Sequence, residues 1–403
     1  MSDTTTPGPH APGAGATARP PFPLLACITV TGILANTLVS APLPDILDDF
    51  GRGDGAAGFL IAAASVPGIV VAPLIGLLAD RYGRRTILVP CLVVFGIGGT
   101  LAGLAPTFEL LLLARFVQGL GSAGLINLTN ILIGDHWDGV ERSRMYGYNS
   151  AVLTVSLAVL PAVGGVLTDL GSWRYAFLPF PLAFVTAFVV ARRLPPGVVD
   201  RSRTVRDQLA EALAVVKKPR VLAPVALSYL AFIFIFGLML TVLPVHLEDE
   251  YGLGASARGL VIAAPAIGAT TGALLLGRLR EHLVPRQVAA LAFGLFAVSY
   301  PVLGLTSALV VVVLAAVVVG VGEGLMMPTL TDLVAGSAPE KDRGAVLSVQ
   351  VSAIRAGQST GPLVGGLGMS HLATGTVFAV AGAVAGVVTV VISSASSLAR
   401  RGR

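Results

Sequence analysis

The sequence predicts an all-α integral membrane protein with twelve transmembrane helices in two six-helix bundles. Composition, the number of apolar segments and an internal repeat predict this fold. Of the 403 residues, 54% are hydrophobic and 12% are charged, whereas soluble proteins carry about 25% charged residues. This composition excludes a soluble enzyme, a nucleic-acid-binding protein and a disordered chain, despite a formal net charge of +5.

A transmembrane helix needs about 20 apolar residues. Eight of the twelve apolar segments have a charged residue at each end. One of them contains a single charge, Arg115, in the window 110–134, and the other seven carry none. The charge-free windows are 20–44, 55–79, 86–108, 145–168, 175–191, 221–247 and 259–277.

The remaining four spans come from two longer segments, 287–331 and 344–399. A single helix over the first would be about 65 Å long, so the chain must turn back within it. We expect this turn around Tyr300, Pro301 and the pair Thr306–Ser307, and the second turn between Gly368 and Thr374.

The distribution of basic residues predicts the orientation, because Lys and Arg concentrate in cytoplasmic loops. With the N-terminus in the cytoplasm, 22 of the 27 Lys and Arg residues are cytoplasmic, three are outside and two are within spans. Both termini are therefore expected in the cytoplasm. The 24 Arg against three Lys are typical of a GC-rich bacterial genome, so the expected location is the cytoplasmic membrane of the cell.

The expected domain organisation has five parts. A disordered tail (1–22), an N-terminal bundle (23–194), a linker (195–220), a C-terminal bundle (221–395) and a short tail (396–403) follow one another. Residues 204–216 of the linker place apolar side chains at helical spacing opposite charged ones. This pattern predicts an amphipathic helix on the membrane surface.

The two halves repeat each other at a shift of 201 residues. The matching pairs lie in loops and at small residues, and they include Gly76 and Gly277, Arg85 and Arg286, Gly119 and Gly320, Arg142 and Arg343, Pro161 and Pro362, and Gly165 and Gly366. Transporters are often built from such repeats, with the substrate held near the membrane midplane between them.

A loop between the second and third spans carries the clearest motif, formed by Gly76, Asp80, Arg81, Gly83, Arg84 and Arg85. A positive membrane anchor requires the arginines but not the acid or the spaced glycines. The stretch resembles the signature loop of the major facilitator superfamily, Gly-x-x-x-Asp-Arg-x-Gly-Arg-Arg. In span four, Arg115, Gln118, Gly119, Gly121 and Ala123 resemble a second motif of this superfamily. The resemblance covers about residues 24–395.

The resemblance implies a secondary transporter of small molecules that is usually monomeric. It implies that the Asp80 loop, together with Arg142, latches the two bundles at the cytoplasmic side. It also links Arg115 with proton coupling.

Span five resembles the motif of proton-driven drug antiporters. Gly147, Pro161, Gly164 and Gly165 match that motif, while Ser156 and Leu160 replace two of its glycines. Leu43–Pro44–Asp45–Ile46 and the turn Gly171–Arg174 also resemble the drug and sugar efflux branch.

Three ionisable residues lie inside predicted spans: Arg115, Glu323 and Arg355. Such residues are costly in a bilayer and normally face a cavity or a partner. Glu323 and Arg355 lie at similar depth and could meet. Our hypothesis is that Glu323 is a protonatable switch and Arg355 its alternating partner; the competing interpretation is a static ion pair that sets helix register.

Polar side chains in the first half are candidates for lining the cavity, namely Asn36, Gln118, Asn127, Asn130 and Asn149. Hydrogen bonds between helices are an equally good explanation for asparagines in spans. Metal-ligand spacing and a phosphate-binding Gly-x-x-x-x-Gly-Lys loop are both absent from the sequence, so no cofactor, metal or enzymatic activity is expected.

The favoured function is proton-coupled efflux of small apolar or amphiphilic compounds. A symporter or facilitator for a neutral metabolite, such as a sugar or an amino acid, is the alternative. A transport-inactive sensor with the same fold is a third possibility, against which the intact loop motif and Arg115 count.

Overall fold

The computed structural model describes residues 19–195, 219–339 and 342–401, and within them the chain forms twelve helical spans. Spans 1 to 6 are Phe22–Ser40, Ala56–Tyr82, Arg84–Gly103, Phe108–His136, Gly139–Asp169 and Trp173–Arg193. Spans 7 to 12 are Arg220–Tyr251, Ala255–His282, Pro285–Leu305, Leu309–Ala335, Arg343–Met369 and Thr374–Arg401.

Several spans are interrupted. A short helix, Leu43–Asp49, follows span 1. Span 4 consists of Phe108–Ser122 and Leu125–His136, and span 7 contains a π-helical stretch, Ile235–Val242. Span 6 starts with a 3-10 turn, Trp173–Phe177. Such breaks are tolerated in a membrane where neighbouring helices satisfy the backbone groups.

Eleven spans are long and apolar enough to cross a membrane, if the bent helix Ala56–Tyr82 counts as one. Span 11 is more polar, but its 27 residues reach about 40 Å at 1.5 Å per residue. It is sheltered between spans 2 and 7, where Gly357 and Gly361 pack against the backbone of Tyr229 and Ile233. The twelve-span, all-helical prediction is confirmed.

The chain reverses at residues 306–308 and 370–373, between the helices that end at Leu305 and Met369 and those that begin at Leu309 and Thr374. The second turn is where the sequence predicts it. The first turn falls at the predicted pair Thr306–Ser307. The prediction that it also involves Tyr300 and Pro301 is wrong, because both residues lie inside span 9 and Tyr300 is fully buried. A proline interrupts a membrane helix less than a soluble one, so it was a poor signal for a turn.

In the described residues, span 1 begins at Phe22, span 6 ends at Arg193 and span 7 begins at Arg220. The last helix continues to Arg401, beyond the predicted limit at 395. The predicted amphipathic helix, 204–216, lies outside the described residues.

The 201-residue repeat is visible in the polar contacts of the two bundles. In the first, Thr29 donates to Asn149 at 2.7 Å, and Asn149 donates to Asn130 at 3.0 Å. In the second, Gln350 donates to Ser228 at 3.1 Å and to Thr331 at 3.5 Å. Gln350 and Thr331 are the residues 201 positions after Asn149 and Asn130, so the two halves share internal architecture as well as sequence.

The two bundles contact each other through two backbone-to-backbone seams. Between spans 5 and 8, a Cβ on Gly259 would lie 2.5 Å from the carbonyl oxygen of Pro161. Between spans 2 and 11, Gly58 packs in the same way against the carbonyl of Pro362. Since each pair is the other shifted by 201 residues, the seams are related by the internal repeat.

The seams occupy only one end of the molecule. We call the end that carries the Gly76–Arg85 loop the arginine-rich end and the other the opposite end. Span 2 begins at the opposite end, where Gly55 and Gly58 are in tight contact with span 11; further along, a Cβ on Gly68 would lie 3.8 Å from Arg355 Cδ. Near the arginine-rich end, a Cβ on Gly76 would meet nothing within 4 Å, and the same holds for Gly147, Gly277 and Gly344.

Hydrogen bonds show the same asymmetry. Among the described residues, two side-chain hydrogen bonds join the bundles: Ser256 N donates to Asp169 Oδ2 at 3.1 Å, and Arg258 pairs with Asp45. Both lie at the opposite end. The structure is therefore closed at the opposite end, and its bundles separate toward the arginine-rich end.

Substituting Gly58 should open the closed end. In Gly58→Ala the new Cβ meets a backbone carbonyl that cannot rotate away, and such overpacking costs about 1–3 kcal/mol. We expect the distance between nitroxide labels at Leu104 and Leu305, exposed at the opposite end of the two bundles, to lengthen in electron-paramagnetic-resonance measurements. Gly277→Ala is the matched control, since its Cβ enters open space; equal distances in the two variants would contradict the seam.

Candidate functional site

Arg115 is fully buried inside the first bundle and is surrounded by oxygens. Its Nη1 donates to the carbonyl of Ala35 at 2.5 Å and to Gln118 Oε1 at 2.7 Å, and its Nη2 donates to Asn36 Oδ1 at 2.8 Å. The Leu60 carbonyl lies 3.5 Å from Nε. These oxygens belong to spans 1, 2 and 4, so Arg115 ties three helices together without a carboxylate partner among the described residues.

The five candidate cavity amides fall into two groups and one separate residue. Asn36 extends the Arg115 network by donating to Ser65 Oγ at 2.9 Å, and Gln118 belongs to the same network. Asn130 and Asn149 form the separate chain described above. Asn127 is half-buried and makes no side-chain hydrogen bond within the described parts of the chain. Asn36, Asn130 and Asn149 thus form hydrogen bonds between helices, which is the role that competed with cavity lining. Gln118 accepts its hydrogen bond from Arg115 on its own helix.

Glu323 is the fifteenth of the 27 residues of span 10, halfway across the membrane. Its Oε1 is buried and has no hydrogen-bond partner in the described structure. Burying a carboxylate oxygen without a hydrogen bond at this depth costs free energy. Among the described residues of the membrane core, Glu323 is therefore the acidic side chain whose hydrogen bonding is least complete.

The neighbourhood of Glu323 is aromatic. The buried rings of Phe234, Phe296, Tyr300 and Phe378 pack with centroids between 5.4 and 6.3 Å apart. The Tyr300 hydroxyl is also buried without a hydrogen-bond partner, and it lies within electrostatic range of Glu323. Two polar groups without partners thus lie in the core of the second bundle. The sequence indicates only one of them, because its pattern predicts a turn at Tyr300.

Arg355 is the thirteenth of the 27 residues of span 11, at a depth similar to Glu323. It forms no ion pair with Glu323 in this conformation; its single hydrogen bond, from Nη1 to Gln358 Oε1, measures 3.4 Å. The structure therefore does not bring together the two residues that the sequence-based hypothesis pairs. Arg355 instead faces Gly68 of the first bundle.

The loop at the arginine-rich end is folded onto its own bundle. Gly83 has a φ of 91°, which glycine adopts without strain, and this allows the tight turn between spans 2 and 3. Arg84 pairs with Asp80 and, at 3.2 Å, with Asp135 of span 4. Arg85 donates to the Leu194 carbonyl at 3.4 Å.

Other residues of the predicted gating loop stand apart. Arg81 lies over the Tyr82 ring at 5.8 Å, and Arg142 is exposed without a contact to the loop among the described residues. Gly76 has open space around it. In this conformation the loop does not bridge the bundles.

The residues of the span 5 motif also differ in their contacts. Gly164 packs against the Leu38 backbone of span 1, and Gly165 packs against Ala255 of span 8. Pro161 forms the seam with Gly259, whereas Gly147 lies toward the separated end without a close neighbour. Three of the four motif residues therefore lie at or beside the closed contact between the bundles.

Arg258 is a buried charged residue at the closed end that the sequence analysis does not single out. Its side chain is 0% exposed, and it pairs with Asp45 of the other bundle and with Glu248 Oε1 at 2.8 Å. The sequence analysis counts it only as one of the three basic residues outside the membrane. The signal that could have found it is the acid in the Leu43–Ile46 segment, which had no assigned partner.

Asp45 is partly shielded by this closure. Burial raises the pKa of its carboxyl, and the positive charge of Arg258 acts in the other direction but more weakly. Asp48 and Asp169 lie near enough to raise that pKa further. The closed end thus brings several carboxylates around one buried guanidinium. The positive charge of this group holds them together.

Comparison with known proteins places this geometry in a family. The model of the Major Facilitator Superfamily matches residues 25–334 and again residues 225–399. Two proteins of Bacillus subtilis (strain 168) match over 357 residues: Multidrug resistance protein 1 is 26% identical, over 84% of this chain and 89% of that protein, and the Bacillibactin exporter is 25% identical, over 84% and 87%. The Multidrug transporter protein MdtP of the same organism is 29% identical, but over only 40% of this chain and 30% of its own length.

Solved structures share the fold. The D-xylose-proton symporter superposes with a TM-score of 0.74 at 16% identity, over 92% of this chain and 96% of that one. A bacterial homologue of the human lysosomal transporter Spinster, in an inward-facing and occupied conformation, gives a TM-score of 0.72 at 18% identity, over 92% and 93%. Two repeated six-span bundles, joined by seams at one end and matched to the family model almost throughout, show that the chain belongs to the Major Facilitator Superfamily.

Proposed function

We propose that this protein is a proton-coupled exporter of small apolar or amphiphilic compounds that works by alternating access in the cell membrane. The observation that carries the proposal is the asymmetry between its ends: backbone seams and the Arg258 pairs close one end, and the other is separated. The positive-inside bias puts the arginine-rich end in the cytoplasm. The conformation is then inward-facing, ready to load substrate from the cytoplasm.

Glu323 is the proton carrier in this proposal. It lies halfway across the membrane in the core of the second bundle, with one oxygen unpartnered. When the seams open and the arginine-rich end closes, the water reaching this core comes from the other side. A carboxylate whose access to water alternates in this way can take up a proton on one side and release it on the other.

The other candidate residues have supporting roles. Arg115 holds spans 1, 2 and 4 in register beside the cavity and keeps a positive charge near it. In the outward-facing state, the Asp80 loop and Arg142 hold the two bundles together at the arginine-rich end. Asp80 then has a further partner besides Arg84. Gly164, Gly165 and Pro161 provide the close contacts that the closed end requires.

The relatives support efflux as the direction of transport. Two proteins that match along most of their length are named for multidrug resistance and for export of bacillibactin. Symport or facilitated diffusion of a neutral metabolite is the competing function. The superposable xylose-proton symporter is similar in fold only and does not favour it.

Proton movement in proteoliposomes tests the proposal. Purified protein is reconstituted with a pH-sensitive dye inside and challenged with a panel of amphiphilic drugs and neutral sugars, against protein-free liposomes. We expect drugs to trigger proton flux opposite to their own movement. Flux in the same direction as a sugar would replace antiport by symport, and substrate movement without proton flux would leave a facilitator.

A further inference from the structure

The guanidinium of Arg355 lies near the middle of the membrane with most of its N–H groups unpartnered in the described structure. A guanidinium has five N–H donors, yet the described structure gives Arg355 one hydrogen bond, to Gln358 on its own helix at 3.4 Å. No carboxylate of the described residues lies within ion-pair distance. Its positive charge is therefore uncompensated by protein in this conformation.

Two other buried arginines, by contrast, have their N–H groups or their charge matched by oxygens of the protein. Arg115 is enclosed by carbonyl and amide oxygens, and Arg258 is paired with Asp45 and Glu248. Both are 0% exposed. Arg355 is half-buried, so it is the member of this set that a solute can reach.

Arg355 lies at the innermost point of the space between the two bundles. It lies opposite Gly68; toward the opposite end, Gly58 of span 2 is in tight contact with Pro362 of span 11, whereas toward the arginine-rich end a Cβ on Gly76 would meet nothing within 4 Å. Ser348 and Ser352, seven and three residues before it, are exposed on the same face of span 11. This polar stripe leads from the separated end to the guanidinium.

The surroundings combine this charge with apolar surface. Phe232 and Phe236 of span 7 are half-buried, with ring centroids 6.1 Å apart, and Phe232 packs beside Gly357, on the turn that follows Arg355. The acid of this depth, Glu323, has its unpartnered oxygen buried away from solvent. A compound entering from the separated end thus meets a positive charge and aromatic side chains.

We propose that Arg355 is the subsite for an anionic group, a carboxylate or a comparable monoanion carried on an aromatic or aliphatic body, in the compounds that this protein transports. Arg binds carboxylates through two parallel hydrogen bonds, which are stronger than neutral ones, and the low-dielectric site increases their strength. The inference rests on the proposed transport function and narrows its substrate class from amphiphiles in general to amphiphilic anions.

Equilibrium binding without any gradient tests the subsite separately from proton coupling. The full-length protein in lipid nanodiscs is dialysed against 2-naphthoate, 2-naphthamide and 2-naphthylmethylammonium, which share one aromatic body, with empty nanodiscs as the blank. We expect the anion to bind about tenfold more tightly than the amide, as a charge-assisted hydrogen bond allows. In Arg355→Gln that preference should disappear while amide binding stays, which shows that the site is still folded.

Two further variants sharpen the test. Arg355→Lys should keep part of the preference, because the charge remains but the two-pronged geometry is lost. Arg343→Gln, an exposed arginine at the start of the same span, is the matched control and should leave the preference unchanged. The proposal is overturned if the wild-type protein binds the anion no better than the amide, or if Arg355→Gln keeps the preference. A failure of proton flux with this anion preference intact would count against the coupling alone.

Discussion

Glu323→Gln should abolish substrate-driven proton flux while the protein remains folded and able to bind. Glutamine has nearly the shape of glutamate but no acid proton to exchange. We expect the flux measured in proteoliposomes to fall by about tenfold or more, to the leak of protein-free liposomes. Downhill movement of substrate should persist, because the cavity keeps its shape.

Glu109→Gln is the matched control for this experiment. Glu109 is an exposed carboxylate at the opposite end that pairs with Arg52 on the surface, and such pairs contribute little. Its removal should leave proton flux unchanged. If Glu323→Gln transports protons at the wild-type rate with the same pH dependence, Glu323 is not the proton carrier, whatever the reason for its burial.

Arg258→Gln should shift the protein away from the closed end that the structure shows. Removing one partner of a buried ion pair costs about 3–5 kcal/mol, and we take about 3 because Asp45 and Glu248 are 35% and 33% exposed. This is roughly a hundredfold change in the ratio of closed to open molecules. The label pair at Leu104 and Leu305 should report a longer mean distance.

A second substitution separates the lost ion pair from a general defect. Once Arg258 is gone, the carboxylates of Asp45 and Glu248 face each other without compensation, so Asp45→Asn in the Arg258→Gln background should recover part of the closure. Arg52→Gln, which removes an exposed arginine of the same end, should have no effect on the distance. Non-additivity between the Asp45 and Arg258 substitutions measures their coupling; purely additive effects would mean that the pair does not hold the bundles together.

Local patterns were sufficient for much of this protein. Charge-free windows located seven of the spans, because a helix that crosses the bilayer must be predominantly apolar. The 201-residue repeat accounts for the symmetry of the two seams, since Pro161 with Gly259 and Pro362 with Gly58 occupy repeated positions. The weak points were turns: Pro301 is an ordinary helical residue in span 9.

Partnerships between distant residues could not be predicted in the same way. Glu323 and Arg355 have similar depths along their helices, but depth does not specify rotation about the helix axis or the direction in which a helix leans. Arg355 therefore faces Gly68 in the other bundle, and Glu323 lies within electrostatic range of Tyr300 in the second bundle. Span number, repeat and motif positions follow from short-range sequence, because each depends on residues within one helix or its copy. The pairing of Arg258 with Asp45, 213 positions apart, and the closure of one end depend on how two bundles pack, which only the tertiary structure decides.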